Sequence, residues 1–344
     1  MAGSAVNGSA VDTPASVAPG YRPAPEDLRL ALRAATLYYL DGLTQAQVAA
    51  RLGVSRPTAG RLVARAKANG LVRIEVVVPD DQRDTLHADE EEALERRFGL
   101  TEAVVVGDSV DAAGPLDDPA SWTAVGRAGA KLLTRRINET DTLGFTWGPE
   151  TVALARALPT GVATCRAIVQ LDGAMSTGHY QTGTEYVLGR CAEQLQARAI
   201  RLLAPLYADT ATVSSLKTDS MISVALGAGR TAGAMMFGVG PVSTSTTLFE
   251  GSFLDTAMLD KLAALGAVGE VGGRFFAADG NILDTELGDR TVSVPLEDVR
   301  GCPKSILLTG GANKREAALG ALRGGFARFL VCDIDCARWL LSQE

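Results

Sequence analysis

The chain of 344 residues contains few of the side chains that usually perform catalysis or bind metals. It has only two histidines, His87 and His179, and no Ser/His/Asp set stands out. Its five cysteines include no CxxC pair and have no histidine near them to complete a zinc site. We therefore expect reduced core thiols, no metal, no cofactor and no enzymatic activity.

Long uncharged apolar runs are also missing from the sequence. The most apolar stretch, residues 221–239, is interrupted by Arg230 and several glycines, so we do not expect it to span a membrane. The first twenty residues have neither a basic region nor an apolar segment, and we expect no signal peptide. With the reduced thiols, these absences predict a cytoplasmic protein that has no membrane partner.

Charge is unevenly distributed along the chain. The net charge is −7, yet residues 26–75 hold eight Lys/Arg and four Asp/Glu, a net of +4, which leaves −11 for the remainder. A local excess of positive charge on an acidic protein is typical of a DNA-binding region, because the basic field is concentrated where phosphates bind. The length allows two or three domains.

Residues 43–67 predict two short helices joined by a tight turn. Thr44 is a good N-cap, and Gln47 three residues later completes a capping box. Gly53 suits the left-handed end of the first helix, and Ser55 is placed to cap the second. Two such helices, the second of them basic, are typical of a helix-turn-helix, whose second helix enters the DNA major groove.

The second helix should bury one face and present a basic face. The expected buried residues are Ala59, Leu62, Val63 and Ala66. The expected DNA-binding residues are Arg51, Ser55, Arg56, Pro57, Thr58, Gly60, Arg61 and Arg65. Arg56, Thr58, Gly60 and Arg61 should face base edges, with Arg51, Arg65 and Lys67 nearer the phosphates. The alternative is a helical hairpin whose basic face is only solvated.

The flanking segments are less regular. Residues 1–25 have the composition of a disordered tail, and residues 26–42 predict a helix that supports the hairpin. A β-rich run, residues 71–78, is either a small wing or a strand. The charged residues 80–99 predict a linker helix, anchored by Leu86, Leu94 and Phe98, with His87 on its surface.

From residue 100 onward, short β-rich runs alternate with helical stretches. Strands are predicted over 103–106, 142–145, 167–171, 200–203, 234–239, 305–308 and 329–331, and helices over 123–137, 151–158, 186–198, 255–265 and 314–323. Such alternation predicts a doubly wound α/β domain, with a parallel sheet covered by helices on both faces. Its ligands should bind at the carboxyl ends of the strands.

Three runs resemble one known family. LYYLDGLTQAQVAARLGVSRPTAGRLVARAKANGLVRIEVVVP is similar to the N-terminal module of the SorC family of sugar-binding transcriptional regulators, also called the DeoR/CggR type. AVGEVGGRFFAADGNILDTELGDR and LLTGGANKREAALGALRGG are similar to its C-terminal domain. The resemblance covers residues 26–344. It implies a helix-turn-helix domain over 26–79, and a Rossmann-like effector and oligomerisation domain, similar to sugar-phosphate isomerases, over 100–344.

The family resemblance also implies a function. The chain would regulate transcription of carbohydrate catabolism genes by binding operator DNA as a homo-oligomer, dimer or tetramer. A sugar phosphate, or a related sugar or polyol, would control that binding. The alternative is a sugar-phosphate isomerase with an appended DNA-binding domain, which would need a general acid and base around its substrate.

In the family, the turn that matches GFTWGPET holds a sugar phosphate. Trp147 and Gly148 match the family pattern, whereas Pro149 and Glu150 occupy the next two places and Thr151 comes one place late. A carboxylate facing a phosphate would repel it, so this departure is important. Glu150 either accepts hydrogen bonds from sugar hydroxyls or caps the helix that follows.

The turn after the strand at 305–308 carries Gly310, Gly311 and Lys314. Free backbone N–H groups and a lysine at a helix start predict an anion site, and the resemblance implies that Lys314 binds the phosphate. The alternative is a glycine turn with a surface lysine. Other strand ends supply the candidate effector residues Gln170, Asp172, Gly238 and Gly240. Glu270, in the run AVGEVGG, is a candidate through the family resemblance, and the alternative is a solvated loop charge. The resemblance implies that Glu270 binds sugar hydroxyls.

Overall fold

The computed structural model describes residues 25–74, 86–110, 121–177, 180–181, 183–244, 248 and 254–344. They form two compact units that divide the chain between Val77 and Val78. The predicted boundary at residue 79 falls in a stretch outside the described residues. So does the predicted tail, apart from Pro25, where the first helix begins.

The first unit is helical, in the predicted order. Helix α1 (Pro25–Ala35) continues into a π-helical turn (Thr36–Leu40) and is followed by α2 (Gln45–Leu52) and α3 (Arg56–Ala68). Residues 71–74 form neither helix nor strand, and the rest of the predicted β-run lies outside the described residues.

The helix-turn-helix caps confirm the sequence prediction. Thr44 Oγ1 accepts a hydrogen bond from the backbone N–H of Gln47, and Gln47 Oε1 accepts one from the backbone N–H of Thr44. Gly53 ends α2 in the left-handed region, with φ 68° and ψ 32°. Ser55 Oγ accepts from the N–H of Thr58 at 3.3 Å, which fixes the start of α3. The turn geometry is therefore specified locally.

The core of the first unit consists mainly of small side chains. It contains Ala31, Ala34, Ala35, Val48, Ala49, Ala59, Leu62, Val63 and Ala66. The four residues predicted to form the buried face of α3 are all buried. Because alanines fill most of this core, α2 and α3 gain little from burial and depend more on their caps.

The second unit is an α/β structure. Its strands are β1 (Glu102–Val106), β2 (Thr142–Phe145), β3 (Ala167–Gln170), β4 (Ser176–Thr177), β5 (Tyr180–Gln181), β6 (Arg198–Ile200), β7 (Ala234–Phe237), β8 (Gly240–Pro241), β9 (Ala267–Val271), β10 (Arg274–Ala277), β11 (Ser305–Leu308) and β12 (Phe329–Asp333). Its helices are α4 (Ala88–Phe98), α5 (Thr123–Arg136), α6 (Pro149–Ala157), α7 (Thr184–Gln194), α8 (Thr210–Thr218), α9 (Ser220–Arg230), α10 (Thr256–Ala264), α11 (Leu296–Gly301), α12 (Arg315–Arg323) and α13 (Ile334–Ser342).

Seven strands form one parallel sheet in the order β1-β12-β11-β7-β2-β3-β6. From β2 the chain moves outward through β3 and β6, then returns to β7 and moves outward on the other side through β11 and β12. The sheet is doubly wound, as predicted. Its direction reverses between β2 and β7, which are neighbours paired in the register Leu143↔Ala234. A ligand crevice is expected at this position.

Helices cover both faces of the sheet. Side chains alternate along the central strand β7, so that Ala234 and Met236 pack with α5, α6 and α7. Met235 and Phe237 pack on the opposite face with α11, α12 and α13. All five cysteines are free and buried, as expected. Among the described residues, no helix is both long and apolar enough to cross a membrane.

Helix α4 covers the outer edge of β1. Glu95 Oε1 accepts from the N–H of Ala103 at 3.0 Å, and Glu91 Oε1 accepts from the N–H of Val105 at 2.9 Å. Leu94 is fully buried beneath this helix, as predicted. Two predictions for the segment were wrong, because Leu86 is 50% exposed whereas His87 is buried at the start of α4.

A small antiparallel sheet, β10-β9-β8, was not predicted. It follows directly from β7 and brings Glu270 on β9 opposite Gly240 on β8. The β9–β10 hairpin turns at Gly272 and Gly273, both with positive φ. This sheet closes one side of the crevice at the carboxyl end of the parallel sheet.

Candidate functional site

A cavity of about 60 Å³ lies at the carboxyl ends of four neighbouring strands, β11, β7, β2 and β3. It is lined by Thr146, Trp147, Gly148, Pro149, Glu150, Asp172, Gly238, Val239, Gly240, Pro241, Leu248, Glu270, Gly272 and Lys314. Its position at the switch point of the sheet is the position expected for a ligand site in an open α/β fold.

Nine of the thirteen predicted effector residues line this cavity. They are Trp147, Gly148, Pro149, Glu150, Asp172, Gly238, Gly240, Glu270 and Lys314. Prediction missed five lining residues, Thr146, Val239, Pro241, Leu248 and Gly272. Gly272 had a signal, because it directly follows the predicted Glu270 motif. Leu248 had none, since only its position in three dimensions brings it to the wall.

The other four predicted residues, Thr151, Gln170, Gly310 and Gly311, do not line the cavity. Thr151 Oγ1 donates to the carbonyls of Thr146 and Gly148, both at 3.0 Å, and so holds the β2–α6 turn. Gln170 Nε2 donates to the carbonyl of Asp172 at 2.6 Å. These two polar side chains are used to shape the walls.

Glu150 and Lys314 form a hydrogen-bonded ion pair across the cavity. Glu150 stands in the first turn of α6, and Lys314 ends the short turn before α12. Their side chains are 1% and 9% exposed, respectively. The Lys314 ammonium also lies 5.0 Å from the ring centroid of Trp122. Lys314 is therefore a buried, paired lysine, and the surface-lysine alternative was wrong.

The glycine turn before Lys314 is tied to a second carboxylate. Asp333, fully buried at the end of β12, accepts from the N–H of Gly311 at 2.7 Å and from that of Val110 at 3.1 Å through Oδ2. Its Oδ1 accepts from the N–H of Cys336 at 2.6 Å. One carboxylate thus joins three backbone segments behind the cavity.

Glu270 is held by the β9–β10 hairpin. Its Oε2 accepts from the N–H of Gly273 at 2.7 Å. Burial raises the pKa of Glu270 to about 7, although the Gly273 N–H and the positive charge of Lys314 act in the opposite direction. A Cβ on Gly240 would lie 2.1 Å from Glu270 Oε1, so only glycine leaves room for this carboxyl group.

Asp172 is the third carboxyl group of the cavity and is 1% exposed. Burial raises its pKa well above the usual range and nearby Glu270 raises it further, although the backbone N–H groups of Trp147 and Asp172 act in the opposite direction. Neither of its oxygens forms a hydrogen bond with any described residue. The indole Nε1 of Trp147 likewise lacks a partner within the described part of the chain.

The wall therefore offers the unpartnered indole N–H of Trp147 as a hydrogen-bond donor, and two acidic groups, Asp172 and Glu270, beside the Glu150–Lys314 pair. Hydroxyl groups both donate and accept hydrogen bonds, so they complement such a wall. Within the described ranges, no three His, Cys, Asp or Glu side chains are arranged to hold a metal ion. His87 does not line the cavity, and His179 lies outside the described residues.

The outer face of α3 is the second candidate site. Arg56 and Arg61 are exposed, and neither forms an ion pair with a described residue. Arg51 at the end of α2 and Lys67 near the end of α3 are also exposed, whereas Arg65 is half-buried. Gly60 is half-buried beside the side chain of Gln45 on α2, where an added Cβ would lie 3.4 Å from Gln45 Oε1.

Comparison with protein families agrees with this architecture. Residues 34–84 match the MarR family, and residues 83–342 match the Sugar-bind family, described as a sugar-binding domain. The second match spans well over half of the chain. The chain belongs to the SorC family of sugar-binding transcriptional regulators.

Full-length relatives of this SorC-family chain are themselves named regulators. The deoxyribonucleoside regulator of Bacillus subtilis is 33% identical over 322 residues, which are 92% of this chain and 98% of that protein. The erythritol catabolism regulatory protein EryD of Brucella abortus is 30% identical and covers the same shares of the two chains. These names do not support the isomerase alternative.

Solved structures show the same fold for this SorC-family regulator. The full-length sorbitol operon regulator SorC of Klebsiella pneumoniae matches 92% of this chain and all of its own, with 25% identity and a TM-score of 0.66. A DeoR family transcriptional regulator from Listeria monocytogenes matches 73% of this chain and 98% of its own, with 25% identity and a TM-score of 0.63.

Proposed function

We propose that this regulator binds operator DNA through α3, and that a hydroxyl-rich sugar or polyol, free or phosphorylated, changes this binding by occupying the cavity. The observation that carries the proposal is the exposed basic face of α3 on a fully capped helix-turn-helix. Arg56 and Arg61 are placed on that face without competing carboxylates among the described residues. The regulator would act in the cytoplasm on genes of carbohydrate catabolism.

The DNA contacts divide into two kinds. Arg56 and Arg61 should read base edges in the major groove, where a good bidentate arginine–guanine pair contributes about 1–3 kcal/mol of discrimination. Arg51, Arg65 and Lys67 should contact phosphates. Ser55 and Thr58, whose side chains are hydrogen-bonded to each other, should hold the start of α3 against the DNA backbone. A single head of this size binds too small a site for selectivity, so a homodimer or tetramer is required.

The effector half of the proposal is supported by the cavity. Its unpartnered polar atoms, on Trp147 and Asp172, suit a ligand that both donates and accepts hydrogen bonds. Two relatives are named for deoxyribonucleoside and erythritol regulation, and both of these compounds carry hydroxyl groups. An effector would act by binding better to one arrangement of the subunits than to another.

Replacing Arg61 with Ala tests the DNA-binding half. Fluorescence anisotropy on an operator duplex selected from random sequence should show affinity reduced about 5- to 150-fold, the loss of one specific contact. The stabilisation of the protein by sugars in a thermal melt should stay unchanged. Arg127→Ala, at an exposed arginine of α5, is the matched control. Equal operator affinity of Arg61→Ala and wild type would contradict the assignment of α3.

A further inference from the structure

We infer that the effector of this chain is an uncharged sugar or polyol and not its phosphate ester, because the chain's own carboxylates occupy the anion-binding groups beside the cavity. This inference rests on the proposed function, since it names the chemical class of the ligand for the same site. It is argued from Glu150, Lys314 and the glycine turn, and then from the remaining wall.

The ammonium group of Lys314 is already neutralised. Glu150 accepts its hydrogen bond, and both side chains are almost fully buried. A phosphate ester would bring up to two more negative charges to a position where one carboxylate already balances one ammonium. Burying such an excess of charge is unfavourable unless a further cation compensates it. Besides Lys314, no Lys or Arg among the described residues lines the cavity.

The backbone of the turn is also engaged. The Gly311 N–H, which would otherwise be a donor for phosphate oxygens, donates to Asp333 at 2.7 Å. Asp333 is fully buried, and its other partners are the backbone N–H groups of Val110 and Cys336. Turning Gly311 toward a ligand would remove a hydrogen bond from a buried carboxylate, which is costly. A second anion-binding group is therefore occupied by the protein itself.

The rest of the wall favours hydroxyl groups. Asp172 and Glu270 are buried acidic side chains, and the oxygens of Asp172 have no partner among the described residues. A ligand hydroxyl can donate to such an oxygen, and another can accept from the unpartnered Nε1 of Trp147. The cavity thus has polar groups that an uncharged polyol satisfies, whereas among its described lining residues only Lys314, already paired with Glu150, offers a phosphate dianion a positive charge.

Matched pairs of ligands test the inference. Isothermal titration of the full chain would compare erythritol, ribose, 2-deoxyribose and sorbitol with their terminal phosphate esters, and would include inorganic phosphate. We expect at least one free compound to bind at least tenfold more tightly than its ester, and inorganic phosphate not to compete with it. An ester that binds more tightly than its free compound would overturn the inference while leaving the proposed function standing.

Glu150→Gln tests whether the carboxylate of Glu150 is what excludes the phosphate ester. The amide keeps a hydrogen-bond acceptor for Lys314 but removes the charge, so the ratio of ester to free-compound affinity should rise at least tenfold. Glu316→Gln is the matched control, because this exposed carboxylate lies two residues from Lys314 and its loss should leave the ratio unchanged. An unchanged ratio in Glu150→Gln would overturn the assigned role of Glu150.

The same titrations separate the inference from the proposed function. If neither the free compounds nor their esters bind, the carbohydrate-sensor proposal itself fails, and the inference fails with it. If Glu150→Gln does not fold, the comparison of free and esterified ligands in the wild-type chain still tests whether the effector is uncharged. Preference for the ester there contradicts the inference, and preference for the free compound supports it.

Discussion

The two units of this regulator differ in the exposure and pairing of the positive charges at their candidate sites. On α3, Arg56 and Arg61 are exposed and have no ion-pair partner among the described residues. At the cavity, Lys314 is buried against Glu150 and Trp122. Exposed cations attract DNA phosphates at long range, whereas a buried and neutralised cation shapes a site without attracting anions. A lysine at a helix start is therefore a weaker sign of an anion site when a carboxylate of the chain reaches it, as Glu150 reaches Lys314.

The largest predicted effect concerns the buried cavity of the second unit, where protonation of Glu270 should change the free energy of unfolding. Its pKa is about 7 in the folded state and 4.5 ordinarily, so the folded state binds the proton more tightly. The resulting stabilisation is complete below pH 4.5 and is lost as the pH rises through 7. Glu270→Gln should remove this pH-dependent contribution to the free energy of unfolding, on the order of 3 kcal/mol.

Urea unfolding between pH 5 and 8 measures this difference. All three tryptophans, Trp122, Trp147 and Trp339, lie in the second unit, so their fluorescence reports that unit alone. Glu139→Gln, at an exposed carboxylate, is the control and should follow the wild-type curve. If the free energy of unfolding depends on pH in the same way for Glu270→Gln and wild type, Glu270 is charged across this range. The buried site would then hold an uncompensated charge, and the contrast in charge between the two units would be smaller.

A smaller effect is expected in the first unit, where caps support a core of small side chains. Thr44→Ala removes the acceptor for the Gln47 N–H and one side of the capping box. It should lower the stability of α2 by about 1 kcal/mol. Hydrogen exchange of the α2 amides measures the change, with Thr212→Ala on the exposed face of α8 as the control. Unaltered exchange in Thr44→Ala would show that packing alone fixes the turn.

The smallest predicted effect concerns the exposed basic face of α3, where one lysine should change the salt dependence of operator binding. If Lys67 contacts one phosphate, Lys67→Ala should reduce the slope of log affinity against log salt concentration by about 0.9. Operator titrations from 50 to 200 mM salt would measure this slope, with Lys217→Ala on α8 as the control. Sugar binding to the cavity should show almost no such slope. A steep slope there would contradict the contrast between the two units.

Sequence signals that act over a few residues predicted the structure well. The caps at Thr44 and Ser55 and the left-handed Gly53 were found from local chemistry. The parallel strands were found because each is a short β-rich run between helical stretches. Prediction missed α8, α9, α11 and α13. Serine, threonine and glycine are frequent in α8 and α9 and obscure the helical pattern, and α11 has only six residues.

Contacts between distant residues account for what the sequence did not predict. Glu150 and Lys314 are 164 positions apart, and no local pattern pairs them. The hydrogen bond from Gly311 to Asp333, and the small sheet that brings Glu270 opposite Gly240, likewise depend on the tertiary fold. Most of the cavity residues were predicted because strand ends are recognisable, and Glu270 was predicted from the family resemblance. The pairing of these residues with one another was not predicted.

The cover on β1 limits the ways in which copies of this chain could associate. The outward N–H groups of Ala103 and Val105 on this edge strand already donate to Glu95 and Glu91. A strand from another molecule therefore finds these donors occupied, and the large sheet cannot be extended past β1 by edge-to-edge pairing. Subunits that associate near this edge must do so through helix and loop surfaces, which protects a concentrated regulator against fibrous aggregation there.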